Sequence, residues 1–276
     1  MKIDSHQHFW NYIPQRDTWI DNSMGALKKD FSPRDLEPHL TQNNLGGCIA
    51  VQADQSEAET EFLLDLADQY SFIKGVVGWV DLRAENVEER LAHYSKNPYF
   101  KGVRHIVQAE KETFLLNADF QEGIQKLSSF QLTYDILIYP NQLKAAIALV
   151  NRFPTQQFIL DHSAKPEIKN QRFHPWQDLI QELAQAPNVA CKISGLITEA
   201  DLNHWKPEEI TPYIDIVFNA FGEDRVLFGS DWPVCLLAGS YDEVVALISN
   251  YSRDFSDQTK AKLFGENAAR IYQLTA

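Results

Sequence analysis

The sequence predicts a single-domain (β/α)8 TIM barrel over residues 1–276, and three observations predict it. Eight short apolar runs alternate with segments of helical periodicity, the pattern of βαβ units in a parallel sheet. Many of these runs are apolar at consecutive positions, as in strands covered on both faces. The first run ends in His6-Gln7-His8 instead of the glycine fingerprint of an open dinucleotide-binding sheet,. A chain of 276 residues is also of ordinary length for one such barrel,.

The elements follow in order. Lys2–His8 is the first strand. It leads into residues 9–46, where Trp10, Tyr12, Trp19 and Phe31 are scattered among Pro14, Pro33 and Pro38. This stretch reads as a long loop over the barrel mouth, then a helix near Pro33–Gln42, and long loops in compact domains are usually functional. Gly47–Ala53 is the second strand. After it Ser56-Glu57-Ala58-Glu59 fits a capping box, with Phe62, Leu63, Leu66, Ala67 and Tyr70 on one stripe,. Ile73–Val80 and Gly102–Val107 are the third and fourth strands. Asn117 caps the next clear helix, where Phe120, Ile124 and Leu127 recur at helical steps,. Leu132–Ile138 precedes Leu143, Ile147 and Val150; Gln157–Asp161 precedes Trp176, Leu179, Ile180 and Leu183. Val189–Ile193 precedes a helix after Lys206-Pro207 that carries Ile210, Ile214, Val217 and Phe221. Arg225–Gly229 is the last strand, and Tyr241–Ile248 closes the series.

Composition narrows the function. Hydrophobic residues at 44% and charged residues at 23% describe a globular protein with ample core,. The net charge of −13 and a pI near 5.0 argue against nucleic acid or anionic membrane as partners,. The chain enters a core strand at Lys2-Ile3, so no signal peptide is expected, and no apolar run approaches membrane-spanning length,. Cys48, Cys191 and Cys235 sit in or beside apolar stretches and are expected to be buried, reduced thiols,. The expected compartment is the cytoplasm.

In a barrel of this kind the active site lies at the carboxyl ends of the strands. Those ends give His6 and His8, Gln52 and Asp54, Asp81, Arg104 and His105, Asp135 and Tyr139, Asp161 and His162, Lys192 and Ser194, and Asp231. Residues two apart on a strand share a face, so His6 and His8 present two imidazoles together. With Asp231 from the last strand they form a metal or acid–base site, provided the sheet closes into a ring. Each residue also has a plainer reading. The histidines could be satisfied locally, and Asp231 could cap a turn. Arg104 could be half of a buried ion pair with Asp135 or Asp81. Lys192 could point outward between helices, and Trp10, Trp79 and Trp232 could be core.

The chain resembles the amidohydrolase superfamily, within it the amidohydrolase-2 branch that holds the sugar-lactone hydrolases. The matching elements are Ile3-Asp4-Ser5-His6-Gln7-His8-Phe9-Trp10, Gly102-Val103-Arg104-His105, Leu160-Asp161-His162-Ser163-Ala164-Lys165-Pro166, Cys191-Lys192-Ile193-Ser194-Gly195-Leu196, Phe228-Gly229-Ser230-Asp231-Trp232-Pro233 and the terminal run from Phe264 to Tyr272. They span nearly the whole chain in order. The resemblance implies hydrolysis of L-fuconolactone, L-rhamnonolactone or a related aldonolactone. It also implies one divalent metal ion, zinc or manganese, on His6, His8 and Asp231, or catalysis without any metal. Metal-rich relatives carry a lysine or glutamate on strand four and a histidine on strand five. Here those places hold Arg104 and Asp135, so a bridged two-metal centre is not expected.

On this reading Asp231 is the general base, and His162 and Arg104 stabilise the oxyanion. Trp10, Gln52, Asp81, Asp135, Lys192 and Trp232 are the expected substrate contacts. The expected partner is a small sugar lactone, with a homodimer left open. The alternatives are a metal-dependent decarboxylase of an unsaturated or aromatic acid, a hydrolase of a dicarboxylate lactone, or a non-catalytic barrel.

Overall fold

The computed structural model describes residues 1–274; the last two positions of the expected domain, 275 and 276, lie outside the described residues. The strands are β1 (Ile3–Gln7), β2 (Gly47–Val51), β3 (Ile73–Gly78), β4 (Phe100–Ile106), β5 (Thr133–Leu137), β6 (Phe158–Leu160), β7 (Val189–Ile193) and β8 (Val226–Phe228). They form one sheet in sequence order, and each pairs in parallel with the next. A helix follows each strand: α1 (Pro33–Gln42), α2 (Glu57–Gln69), α3 (Val87–Tyr94), α4 (Ala118–Leu127), α5 (Leu143–Arg152), α6 (Trp176–Leu183), α7 (Pro207–Phe221) and α8 (Tyr241–Tyr251). This is the (β/α)8 barrel.

The ring closes between β8 and β1 without a regular ladder. Ser5 Oγ donates to the Phe228 carbonyl at 2.6 Å. The Asp231 amide donates to the His6 carbonyl at 2.8 Å, and the His8 amide to the Trp232 carbonyl at 2.7 Å. Those last two bonds bring the opposite ends of the chain together at the carboxyl end of the barrel. Ile3, Ile49, Val51, Val77, Ile159, Ala190 and Leu227 form one buried apolar cluster, and Ala268, Ile271 and Tyr272 from the C-terminal segment pack into it. Removing such surface from water stabilises the fold by about 25 cal/mol per Å².

Several local expectations change. Ser56 caps α2 by accepting from the Glu59 amide at 3.2 Å, but Glu59 does not return the bond to Ser56. Its carboxylate accepts the Ala53 amide at 3.1 Å instead, so only half of a capping box forms. Helix α3 has no counterpart in the expected elements, although Val87, Leu91 and Tyr94 are its buried stripe.

The loop after β1 is more ordered than its composition suggests. Trp10 and Phe31 pair across it through two backbone bonds of 3.1 and 2.9 Å. Trp10 is buried, its indole N–H donates to the Lys29 carbonyl at 3.0 Å, and its ring packs on Phe31. Trp232 is likewise buried, between Phe9 and Phe31. Both are expected substrate contacts; in the structure each is packed in an aromatic cluster, because the loop folds its aromatic residues inward. Trp19 is the exposed tryptophan of this cluster, edge-on to Trp10 at 5.9 Å.

Candidate active site

The site assembles around Asp231, the residue at which the chain leaves β8. Asp231 has φ of +58°, in the left-handed region that side-chain-bearing residues rarely adopt,. The turn is clamped from beneath by Asp4. Its carboxylate accepts the Ser230 amide at 2.9 Å, the Ser230 hydroxyl at 2.6 Å and the Tyr241 hydroxyl at 3.0 Å. Burial outweighs those bonds and pushes the Asp4 carboxyl up to about 6.

Three imidazoles face one oxygen of Asp231. His8 Nε2 lies 3.4 Å from Oδ1, His162 Nε2 3.8 Å and His6 Nε2 3.9 Å. All four side chains are buried. Burial alone would raise the Asp231 carboxyl, but His162, the His8 hydrogen bond and His6 outweigh it and hold the group well below the usual carboxylate range. His8 Nδ1 is 2.7 Å from the Val51 carbonyl, which can only accept, so Nδ1 carries a proton and Nε2 is the nitrogen that shares a proton or a metal with Asp231,. His162 Nδ1 is 2.9 Å from Ser194 Oγ. Burial drives the His162 pKa down to about 4.

Below this cluster lies a charged floor. Lys192 Nζ is 2.6 Å from Asp135, 3.0 Å from Asp161 and 3.2 Å from His6 Nδ1. Asp135 also accepts the Tyr272 hydroxyl at 2.6 Å. Arg104 Nη1 reaches Asp161 at 3.0 Å and His6 Nε2 at 3.3 Å, and Nη2 donates to the Gln52 carbonyl. Burial opposes ionisation of Asp161, but Lys192, His6 and Arg104 outweigh it and keep the carboxyl well below its ordinary range.

The expected substrate contacts therefore divide. Asp135 and Lys192 are fully buried and pair with each other, and Lys192 lies beneath His6, 3.2 Å from its Nδ1. Lys192 points into the barrel, not between helices. Asp81 is half-buried, its carboxylate 3.1 Å from Arg83. Gln52 is buried, with its amide N–H on the Arg104 carbonyl and its Oε1 without a partner among the described residues. Arg104 pairs with Asp161 and with neither of the partners expected for it.

Two further residues shape the site. Gly195, just beyond β7, has φ of +61°, and a Cβ there would lie 2.7 Å from His162 Nδ1 and 2.8 Å from Asp231 Oδ2. Only glycine lets this loop pass under both residues. Lys165 Nζ lies 2.6 Å from Glu199 Oε1 at the mouth. Burial would lower the Lys165 pKa, but Glu199 and Asp231 outweigh it and raise it.

The donor set fits one divalent ion. Ligand atoms of His6, His8 and Asp231 all lie within 4.8 Å of one another, two imidazoles and a carboxylate being a common set for zinc. His6, Asp161 and His162 form a second such group. Its Asp161, however, is already paired with both Arg104 and Lys192, which disfavours a second cation there,.

A closed parallel barrel with buried histidines and an ionised aspartate at its carboxyl end is the frame of a barrel enzyme that activates water or binds a metal. The chain belongs to the amidohydrolase family, whose model matches residues 3–274. It is 40% identical to an L-fucono-1,5-lactonase of Burkholderia multivorans over 286 aligned positions, covering 99% of this chain and 96% of that one. Identity to an L-fucono-1,5-lactonase of Burkholderia ambifaria is 34%, covering 99% and 96%. The crystal structure of a Burkholderia multivorans amidohydrolase with bound zinc superposes with a TM-score of 0.97 at 40% identity, covering both chains completely.

Proposed function

We propose that this protein is a lactonase that hydrolyses a small neutral aldonolactone, with L-fucono-1,5-lactone the first substrate to test. The observation that carries the chemistry is the Asp231 carboxylate, held ionised in a buried pocket against three imidazoles. The substrate class rests on the full-length similarity to two L-fucono-1,5-lactonases.

Asp231 takes a proton from water as the water oxygen bonds to the lactone carbonyl carbon. The Ser194 hydroxyl donates to His162 Nδ1, leaving Nε2–H to donate to the developing oxyanion. Arg104, with Nη1 and Nη2 bonded to the site floor, acts chiefly through its field. Collapse of the tetrahedral centre breaks the ring C–O bond, and Asp231 returns its proton to the departing alkoxide. The product is an open-chain hydroxy acid, which releases one proton at neutral pH. A divalent ion on His6, His8 and Asp231, zinc or manganese, would polarise the carbonyl and the water when bound.

A dicarboxylate lactone fits less well. Such a substrate calls for unengaged cations, whereas Arg104 is buried against Asp161 and Lys165 is paired with Glu199,. Gln52 Oε1 is suited to accept from a ring hydroxyl. In this reading residues 1–276 act as one domain. No helix of the described residues is long and apolar enough to cross a membrane, and the three buried free thiols suit a reducing compartment such as the cytoplasm,.

The test is a panel of five- and six-membered aldonolactones in weak buffer, read by proton release, with product acids identified by NMR. Turnover of deoxy-sugar lactones supports the reading. No turnover of any lactone, alongside carbon dioxide release from unsaturated acids, would replace it with a decarboxylase.

A further inference from the structure

Lys165 and Glu199 form an ion pair that the mechanism does not use. The side chains of Lys165 and Glu199 are 16% and 21% exposed, against 4% and 3% for His162 and Asp231. The pair therefore lies nearer solvent than those two residues.

Its placement is costly. Lys165 ends a run of four consecutive non-glycine residues in the left-handed region, His162, Ser163, Ala164 and Lys165, with φ of 50°, 51°, 57° and 50°. Each is in a conformation that side-chain-bearing residues rarely adopt. The turn is held in place by the Lys165 amide on the His162 carbonyl (2.8 Å), the Trp176 indole on the Ser163 carbonyl (2.7 Å) and the Ser163 hydroxyl on the Lys192 carbonyl (3.2 Å). In a helical turn of either hand, residues three apart share a face. The turn thus delivers the His162 imidazole and the Lys165 ammonium to one side. Their fields agree with that: Lys165 adds to the burial that lowers His162, and Asp231 adds to Glu199 in raising Lys165. Glu199 comes from the neighbouring loop, in the short turn Ile197–Glu199 that follows Gly195.

A part-exposed ion pair contributes little to stability, so folding alone gives little reason for a strained turn that presents one. A hydroxyl group, in contrast, can accept from the ammonium and donate to the carboxylate at once, making two charge-assisted hydrogen bonds. From this geometry, and resting on the lactonase reading, we infer that Lys165 and Glu199 are specificity-determining residues that hold a ring hydroxyl of the substrate beside Asp231 and His162.

The experiment compares kcat/KM for L-fucono-1,5-lactone with that for δ-valerolactone, a six-membered lactone without hydroxyls. Wild-type protein, Lys165→Met, Glu199→Gln and Lys165→Arg are each measured. In the first two variants the preference for the hydroxylated lactone falls by about tenfold or more, mainly through KM, and Lys165→Arg recovers part of it. Glu199→Gln lies outside the strained turn, so it tests the inference even if Lys165→Met folds poorly. Equal losses on both lactones, leaving the preference unchanged, would overturn the inference while the lactonase reading stood. Wild-type protein inert toward both would overturn the lactonase reading and this inference with it.

Discussion

Asp231 Oδ1 lies 3.4 Å from His8 Nε2, while the other nitrogen of that ring is 2.7 Å from the Val51 carbonyl. The carbonyl keeps a proton on Nδ1, so Nε2 and Oδ1 are two buried, electron-rich atoms that need a proton or a cation between them. That relationship sets the metal chemistry of the site and also its acid–base behaviour.

Zinc binding should saturate at one ion per chain, because Asp161 of the second group of donors is already paired with Lys192 and Arg104. Calorimetric titration of chelator-treated protein gives the stoichiometry. Asp231→Asn should weaken the affinity by about tenfold or more. A second ion of comparable affinity would show that the charged floor does not exclude it.

The pH profile follows from His162. Burial lowers its pKa to about 4, and Asp231 lies lower still. His162 is therefore neutral, and Asp231 ionised, at every pH above about 4. Without added metal, kcat/KM should be flat from about pH 5 to neutrality and fall as pH drops through about 4. An acid limb near the ordinary histidine value would mean that the imidazole is not desolvated as described.

Gly195→Ala should damage catalysis more than folding. The new Cβ would press on His162 Nδ1 at 2.7 Å and Asp231 Oδ2 at 2.8 Å in a backbone with φ of +61°. The conformational cost is about 1–2 kcal/mol, a loss of a few degrees in Tm. Displacement of the base and the oxyanion donor should lower kcat by roughly 10²-fold. Steady-state kinetics beside a thermal melt separate the two effects.

Lys192→Met should destabilise the fold by about 3–5 kcal/mol, since it strands Asp135 and Asp161 without their shared cation,. Denaturant titration measures this. Adding Asp135→Asn to Lys192→Met should recover part of the loss, because one of the stranded charges is then gone.

Much of the site was legible in the sequence for physical reasons. The two-residue spacing of His6 and His8 puts both rings on one face, and His162 and Asp231 directly follow apolar runs that could only be buried strands. What one strand cannot reveal is which groups meet across the ring. Asp135 and Lys192 are 57 positions apart, and their 2.6 Å contact exists only once the barrel closes. Read singly, each was a substrate contact. Trp10 and Trp232 misled for a related reason, since an aromatic residue near a mouth can line it or roof it. Gly195 had a signal, a glycine immediately after a strand-end serine, which marks a turn needing a left-handed backbone. The Lys165–Glu199 pair had none, because it joins two loops 34 residues apart.

The most direct test of the account is proton release from L-fucono-1,5-lactone by wild-type protein and by Asp231→Asn, side by side. The wild type should turn the lactone over, and the variant should lose about 10²–10⁴-fold in kcat with its melting temperature essentially retained. Turnover by Asp231→Asn close to the wild-type rate would contradict the assignment of Asp231 as the base on which the proposed mechanism rests.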